Sequence, residues 1–445
     1  MRILLINFRD SKDCSSGFKV LFPNGLLYVA AALEKTGHNV SIIDFLYEEE
    51  FSSLDEELLR ADAVGVSFSG NINHKFNSVL KHIKTLNPNL PCITGGVAAT
   101  ELPGFFLNMG FDFVVLGEAE ETAVKLLAKL KEGNFDEVEN IAFTKEGKIT
   151  INKIKPPVED LDSLPFPARH LINMASYDEL IITVSRGQCP KECTFCFRRQ
   201  NYYSGNRLRV RSFVNISDEM SEIYKYYPDK YIWITDDNFT MLSNEWFKSF
   251  VAELKKKHFS GKWICFSRVD SIDYEKLSMM KDAGCVSLLF GVESGSQRIL
   301  DFYKKGITIK QIKNAFRMCK DLGLKTHAFF IVGSPGETKK DLKLSLKLFW
   351  QIKPDSYEVS TLLPMPGTPL YDYCFENKLL KEEIADRERA YIFYLENIKP
   401  GYFKLLVKLA HLTEEDLYNF KNEMSRIFMQ LSKKTEGNVT ISNLV

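Results

Sequence analysis

Through the first quarter of the chain, short apolar runs alternate with stretches whose apolar residues recur every three or four positions. An uninterrupted or alternating apolar run marks a strand, and the wider spacing marks a helix with one buried face. On that rule Ile3 to Asn7, Val40 to Asp44, Val64 to Phe68, Cys92 to Thr94 and Phe113 to Leu116 are strands, with amphipathic helices between and after them. The rhythm predicts a doubly wound parallel sheet with helices on both faces. Ligands of such sheets sit at the carboxyl ends of the strands. The loops there are Ser67-Phe-Ser-Gly70, Thr94-Gly-Gly-Val97 and Leu116-Gly-Glu-Ala-Glu120. Their small residues let a large planar ligand approach the backbone, and they equally suit any tight turn after a strand.

From Asn134 the pattern loosens into a hairpin over Asn140 to Ile154 with its turn at Glu146-Gly147, followed by Lys155-Pro-Pro157 and Leu164-Pro-Phe-Pro167. Prolines at this density suit an extended connector between domains. A second strand and helix series runs from Leu180 to Pro364. Its strands read as Ile181 to Val184, Tyr231 to Thr235, Trp263 to Ser267, Val286 to Val292, Thr326 to Val332 and Tyr357 to Leu362. Six such units predict an incomplete parallel barrel instead of an eight-fold one. The expected fold is α/β, in four parts: a Rossmann-like domain over 1–133, a linker with hairpin over 134–174, a partial (β/α)6 barrel over 175–374 and a helical tail over 375–445.

A chain of 445 residues suits two or three domains. Lys plus Arg and Asp plus Glu both count 58, so no global field recruits nucleic acid or an anionic membrane. The opening apolar run is too short for a signal peptide and reads as a buried strand. No stretch approaches the ~18 apolar residues of a membrane span. Six of the nine cysteines are scattered singly, at Cys14, Cys92, Cys265, Cys285, Cys319 and Cys374, mostly in apolar stretches. That usage fits a reducing cytoplasm and not a disulfide framework.

The other three, Cys189, Cys193 and Cys196, stand in the run from Ser185 to Phe197 with C-x3-C-x2-C spacing. Three thiolates can hold three irons of a 4Fe-4S cluster and leave the fourth iron open. A structural zinc site or three unrelated buried thiols are the competing readings. Zinc sites usually pair a second C-x2-C or C-x2-H element, and none follows here. The spacing, with Phe195 just before the last cysteine, resembles the radical S-adenosylmethionine (SAM) enzymes. In that superfamily SAM chelates the open iron through its amino and carboxylate groups, and an electron from the cluster cleaves it to a 5'-deoxyadenosyl radical.

The resemblance extends to the ends of the following strands. Thr235-Asp-Asp-Asn238 follows the second, where family members hold the SAM amino group, with Asp236 and Asp237 as candidates. Arg268, after the third, resembles residues that meet the SAM carboxylate, a pairing suited to the guanidinium fork. Glu293, after the fourth, would accept from the ribose hydroxyls. Gly333, in Ile331-Val-Gly-Ser-Pro-Gly-Glu337, resembles the segment flanking adenine. Each residue alone is also an ordinary turn or cap residue; their order at successive strand ends carries the resemblance.

The N-terminal half resembles the cobalamin-binding domain that precedes the barrel in cobalamin-dependent radical SAM enzymes. Its carrying segments are Pro23 to Leu33, Thr36 to Val40, Ala63 to Phe68, Gly95-Gly96 and Asp112 to Thr122. Ser67, Ser69, Gly70, Gly95, Gly96, Gly117 and Glu118 are the implied cobalamin contacts. The chain lacks the Asp-x-His-x-x-Gly sequence that supplies a cobalt ligand elsewhere; His74 is the histidine placed where such a ligand would sit, or else a solvated helix-start residue.

After the cysteine loop, Arg198, Arg199, Arg207, Arg209 and Arg211 interleave with Tyr202 and Tyr203, a clamp for an anionic substrate or a solvated face. Tyr391 to Tyr394, Tyr402 and Phe403 either line a substrate pocket or pack the tail onto the barrel. The resemblance implies a methyltransferase acting on an unactivated carbon of a small-molecule or lipid substrate, with a 4Fe-4S cluster, SAM and cobalamin, and a reducing donor such as flavodoxin or ferredoxin. The rivals are a cyclase or rearrangement enzyme with the same cofactors, and a non-catalytic corrinoid or cluster-binding sensor.

Overall fold

In the computed structural model the residues described are 1–9, 22–46, 50–68, 74–197, 207–236, 239–398 and 402–432. The first sheet contains β1 (Arg2–Arg9), β2 (Asn39–Leu46), β3 (Ala63–Phe68), β4 (Cys92–Thr94), β5 (Phe113–Val115), β6 (Ile141–Lys145) and β7 (Lys148–Ile151). Their spatial order is β2-β1-β3-β4-β5-β6-β7. The first five are parallel, with Ile3 beside both Val40 and Ala63. The order reverses between β1 and β3, and a crevice for ligands opens at such a switch.

Helices cover both faces of this sheet because its strands are apolar on both sides. One core gathers Ile3, Leu5, Ala63 and residues of α1 (Asn24–Lys35) and α6 (Glu120–Lys129). The other gathers Leu4, Ile6, Val64, Val66 and apolar residues of α2 (Asp55–Arg60), α3 (His74–Leu86), α4 (Val97–Glu101) and α5 (Pro103–Met109). Each fully buried Leu, Ile, Val or Phe contributes about 1.5–3 kcal/mol.

The hairpin expected in the linker is present, with Glu146 and Gly147 both at positive φ in its turn. It is not part of an extended connector. Its strand β6 pairs antiparallel with β5, Val114 beside Ala142, so the first sheet continues through residue 151. The Pro-rich segment after it folds back along the barrel, where Arg169 and Arg211 both bind the buried carboxylate of Glu219. Together the two guanidiniums hold the Glu219 carboxyl below its usual range against the opposing effect of burial.

The second sheet is the open barrel: β8 (Glu179–Ile182), then, after the two-residue strands β9 (Ser185–Arg186) and β10 (Arg209–Val210) that pair with each other, β11 (Tyr231–Ile234), β12 (Trp263–Ser267), β13 (Cys285–Glu293), β14 (Lys325–Val332) and β15 (Ser356–Thr361). The six are all parallel, and each lies beside its predecessor in the series. Helices α7 (Phe213–Tyr226), α8 (Asn244–Lys256), α9 (Tyr274–Asp282), α10 (Gln297–Phe302), α11 (Ile309–Asp321) and α12 (Lys339–Ile352) wrap its outside. Beyond them come α13 (Pro369–Glu376), α14 (Arg387–Asn397) and α15 (Glu414–Ser432). Leu405 and Leu417 of this tail lie against Gly333, where an added Cβ would stand 3.1 Å from Leu405.

Candidate functional site

A cavity of about 550 Å³ opens at the β1/β3 switch and runs between the first sheet and helices α1 and α6. Its walls are apolar along Ile3, Leu5, Val29 and Leu127, and small where the loops cross it, at Gly65, Gly95, Gly96 and Gly117. A Cβ on Gly65 would come within 2.6 Å of the Leu5 side chain, so the glycine leaves room that any other residue would occupy. Ser67, Gly95, Gly96, Gly117 and Glu118 all line it, and Ser69 and Gly70 lie outside the described residues. His74 opens α3, and its side chain is not among those described. A largely apolar cavity edged by glycines lets a large ligand pack against the backbone, which suits the corrinoid reading.

The far wall belongs to the barrel, through Ile181, Thr183, Arg186 and Thr235. Ion pairs lock the two halves there. Glu118 accepts from Arg209 at 2.5 Å and from Arg186 at 3.3 Å, and Glu120 pairs with Arg186 at 2.7 Å. Arg186 also lies over the Tyr28 ring at 4.8 Å, and Asn24 donates to Thr183 at 3.1 Å. The Arg186 guanidinium is the hinge of this contact, and sequence reasoning missed it, although it stands three residues before Cys189.

That placement explains most of the arginine run. Arg209 and Arg211 are buried on carboxylates of the fold, and Arg207 pairs at the surface with Glu159 at 3.0 Å. Arg198, Arg199, Tyr202 and Tyr203 lie outside the described residues.

The cysteine loop begins directly after β9, and none of its three cysteines is in a disulfide; Cys193 is buried, Cys189 and Cys196 half-buried. The loop is tied down on three sides. Thr194 N–H donates to the Tyr303 carbonyl at 2.9 Å and its own carbonyl accepts from Leu370 N–H at 3.0 Å. The Phe195 ring meets Tyr303 edge-on at 5.0 Å. Lys191 donates to Asp270 at 3.1 Å. Gly187, at φ 118, passes so close to Arg207 that a Cβ would overlap its carbonyl. A loop held this firmly presents three thiols, the number a cluster with one open iron needs; among the described residues no three His, Cys, Asp or Glu side chains converge on a single-ion site.

The strand-end residues gather round this loop. Asp236 is buried, and its carboxylate accepts from Val184 N–H and Ser185 Oγ at 2.7 Å each, and from Ser185 N–H. It thereby fixes the entry to the cysteine loop. Asp237 lies outside the described residues. Glu293 sits at φ 61, an uncommon conformation for a non-glycine residue that marks a constrained site. Its carboxylate accepts from Lys305 at 2.6 Å, and the pair occupies the space that Gly291 leaves open. Lys305 also approaches the Phe195 ring at 5.7 Å, so β13 and the cysteine loop meet through one ammonium. Lys305 had no signal in the sequence, where Lys304-Lys305-Gly306 reads as a surface turn.

Gly333 takes φ 90, and its N–H donates to Glu337 at 2.7 Å. Arg268 departs most from expectation. Its fork grips Asp270 at 2.8 and 3.2 Å and donates to the Lys305 carbonyl at 2.6 Å, and the remaining nitrogen points at the Cys193 sulfur, 3.7 Å away.

Inside the barrel an aromatic wall crosses the strands. Trp233 and Phe266 are 5.4 Å apart, Phe266 and Phe329 5.9 Å, and Phe329 and His327 4.3 Å. These rings face inward, since Phe330 on the opposite side of β14 meets Phe349 of α12. Glu358 lies beside Phe329 in register, and burial raises its carboxyl above the usual range. Tyr391 and Tyr394 do not line this space; their hydroxyls cap the carbonyls of Pro366 and Pro364 and pack the tail.

Residues 184–349 match the radical SAM superfamily and residues 17–127 the B12 binding domain. An uncharacterized methyltransferase of Pyrococcus horikoshii is 30% identical over 406 residues, 89% of this chain and 85% of that protein. An anaerobic magnesium-protoporphyrin IX monomethyl ester cyclase of Rubrivivax gelatinosus is 27% identical, over 88% of this chain and 74% of that one. In fold, the chain is similar to the radical SAM methyltransferase TsrM of Kitasatospora setae, with a TM-score of 0.76 at 17% identity, over 96% of this chain and 90% of that one. From the glycine-edged slot to the ring of strand ends round three cysteines, the chain belongs to the radical SAM enzymes that carry an N-terminal B12-binding domain.

Proposed function

We propose that the protein is a cobalamin-dependent radical SAM methyltransferase acting on an unactivated carbon. The observation that carries this reading is the wall shared between the slot and the barrel, where Thr183, Arg186 and Thr235 face the ligand cavity at the start of the cysteine loop. One ligand in the slot then looks onto the chemistry of the loop. When bound, the cluster with SAM supplies a hydrogen-abstracting radical, and cobalamin supplies the methyl group.

The chain's own residues place and shield. Cys189, Cys193 and Cys196 would hold the cluster, and Glu293, Asp237 and Gly333 are the candidates for contacts to SAM. Asp236 orients the loop. Ser67, Gly95, Gly96, Gly117 and Glu118 would line the corrinoid. The aromatic wall of Trp233, Phe266 and Phe329 suits an apolar substrate part and keeps water from a reactive carbon. An anionic substrate would draw on Arg198, Arg199 or the exposed Arg207, since the buried Arg209 and Arg211 are engaged on carboxylates of the fold. A low-potential donor such as flavodoxin or ferredoxin is the expected electron source. Buried single cysteines suit a reducing cytoplasm, and among the described residues no helix is long and apolar enough to cross a membrane.

The likeness to a cyclase favours one second reading, the same cofactors with a rearrangement in place of methyl transfer. Anaerobic reconstitution with iron, sulfide and hydroxocobalamin, followed by assay of 5'-deoxyadenosine, tests both. Bound cobalamin with SAM turnover supports the reading; a methylated product separates methyltransferase from cyclase. Cys193→Ala is expected to abolish 5'-deoxyadenosine formation while cobalamin is still retained. Full turnover in that variant would remove the cluster assignment.

A further inference from the structure

We propose that Arg268 is a positioning residue for the cluster, raising its reduction potential through a hydrogen bond to the Cys193 sulfur, in place of the carboxylate role its position in the chain suggests. The inference rests on the cluster reading given above.

The guanidinium has five N–H donors. Nε and Nη2 grip the two oxygens of Asp270, Nη2 also reaches the Lys305 carbonyl, and Nη1 points at Cys193 Sγ. One N–H is left, too few for a bidentate hold on a second carboxylate. Asp270 is itself fixed from the other side by Lys191, which lies between Cys189 and Cys193. Arg268 is 8% exposed and Cys193 7%, so the contact is shielded from water and its electrostatic effect is strong.

Reduction adds one electron to the cluster, taking it from the 2+ to the 1+ state, with no bond broken and the electron drawn from an external low-potential reductant. A fixed positive charge and a hydrogen bond to a ligand sulfur stabilise the more negative, reduced state. Arg268 therefore makes the cluster easier to reduce, and Asp270 keeps the guanidinium in place to do so.

The test is a dithionite titration of the reconstituted full-length protein, followed by electron paramagnetic resonance, for wild type and Arg268→Gln. The variant is expected to fall by about 59 mV, a tenfold change in the one-electron equilibrium. Its affinity for SAM, by equilibrium dialysis, should stay near that of wild type. An unchanged midpoint, with or without weakened SAM binding, overturns the proposal. If iron analysis shows that Arg268→Gln holds no cluster, Arg268→Met, which fills the space with neither charge nor donor, takes its place: a lowered midpoint supports the proposal and a wild-type midpoint overturns it. Wild-type protein that takes up no cluster at all overturns both this inference and the functional reading beneath it, whereas a cluster with no shift overturns the inference alone.

Discussion

Glu337 shows how one buried carboxyl ties stability to pH. Its Oε2 accepts from the N–H groups of Gly333 and Ser334, at 2.7 and 3.1 Å, and its Oε1 has no partner. Burial, the largest cause, pushes its pKa up to about 7. The folded protein thus keeps a proton that the unfolded chain gives up above about pH 4.5. Stability should fall as pH rises from about 4.5 to 7, by roughly 3 kcal/mol at most, and hold steady from this source below that window. Glu337→Gln retains an acceptor for both N–H groups and has nothing to ionise. Urea unfolding is expected to show the variant more stable than wild type at about pH 8 and close to it at about pH 5; equal stabilities at both would mean the carboxyl is ionised in the fold. What the sequence reveals at this scale is local. The cysteine spacing and the polar residues at strand ends can be read because neighbours in the chain set them. The partners of Arg268 cannot, because the Lys305 carbonyl comes from 37 residues further on.

At the scale of elements, the loop between β5 and α6 carries the contact between the two halves. Glu118 is the carboxylate for Arg209, whose side chain is 3% exposed, and it shares Arg186 with Glu120. Glu118→Ala would leave the buried Arg209 with the Val158 carbonyl but no carboxylate, while Arg186 keeps Glu120. The expected loss is about 3–5 kcal/mol, read as a lower midpoint in chemical unfolding; a change under 1 kcal/mol would mean that water already solvates this contact. The hairpin illustrates where sequence reading stops at the same scale. Its turn and strands are visible in residues 140–154, but its pairing with β5 is a long-range choice, Val114 beside Ala142, that no local pattern encodes. The six barrel strands were legible because each is an apolar run and each pairs with its predecessor in the series.

Across the whole molecule the ligand slot belongs to no single element. The first sheet gives it a floor, α1 and α6 a lid, and the barrel an end wall. Its loop glycines could be read from the sequence, but its volume and its closure by Arg186 could not, because they arise only when two sheets meet. Gly65 lies in β3 on the slot's floor, so Gly65→Ile places a branched side chain in space the ligand needs, and the Leu5 side chain must shift to admit it. Cobalamin affinity is expected to drop at least tenfold, about 1.4 kcal/mol, measured by absorption titration, with cluster assembly on the barrel unchanged. Retained affinity would move the corrinoid elsewhere.

The tail that touches Gly333 also bears on how the molecule is made. Each barrel strand after β8 pairs with one synthesised before it, so the sheet can grow in step with translation, while Leu405 and Leu417 reach back to Gly333, just past β14, from a segment made after all of them. The end of β14 at Gly333 therefore stays uncovered until α15, which carries Leu417, has been made.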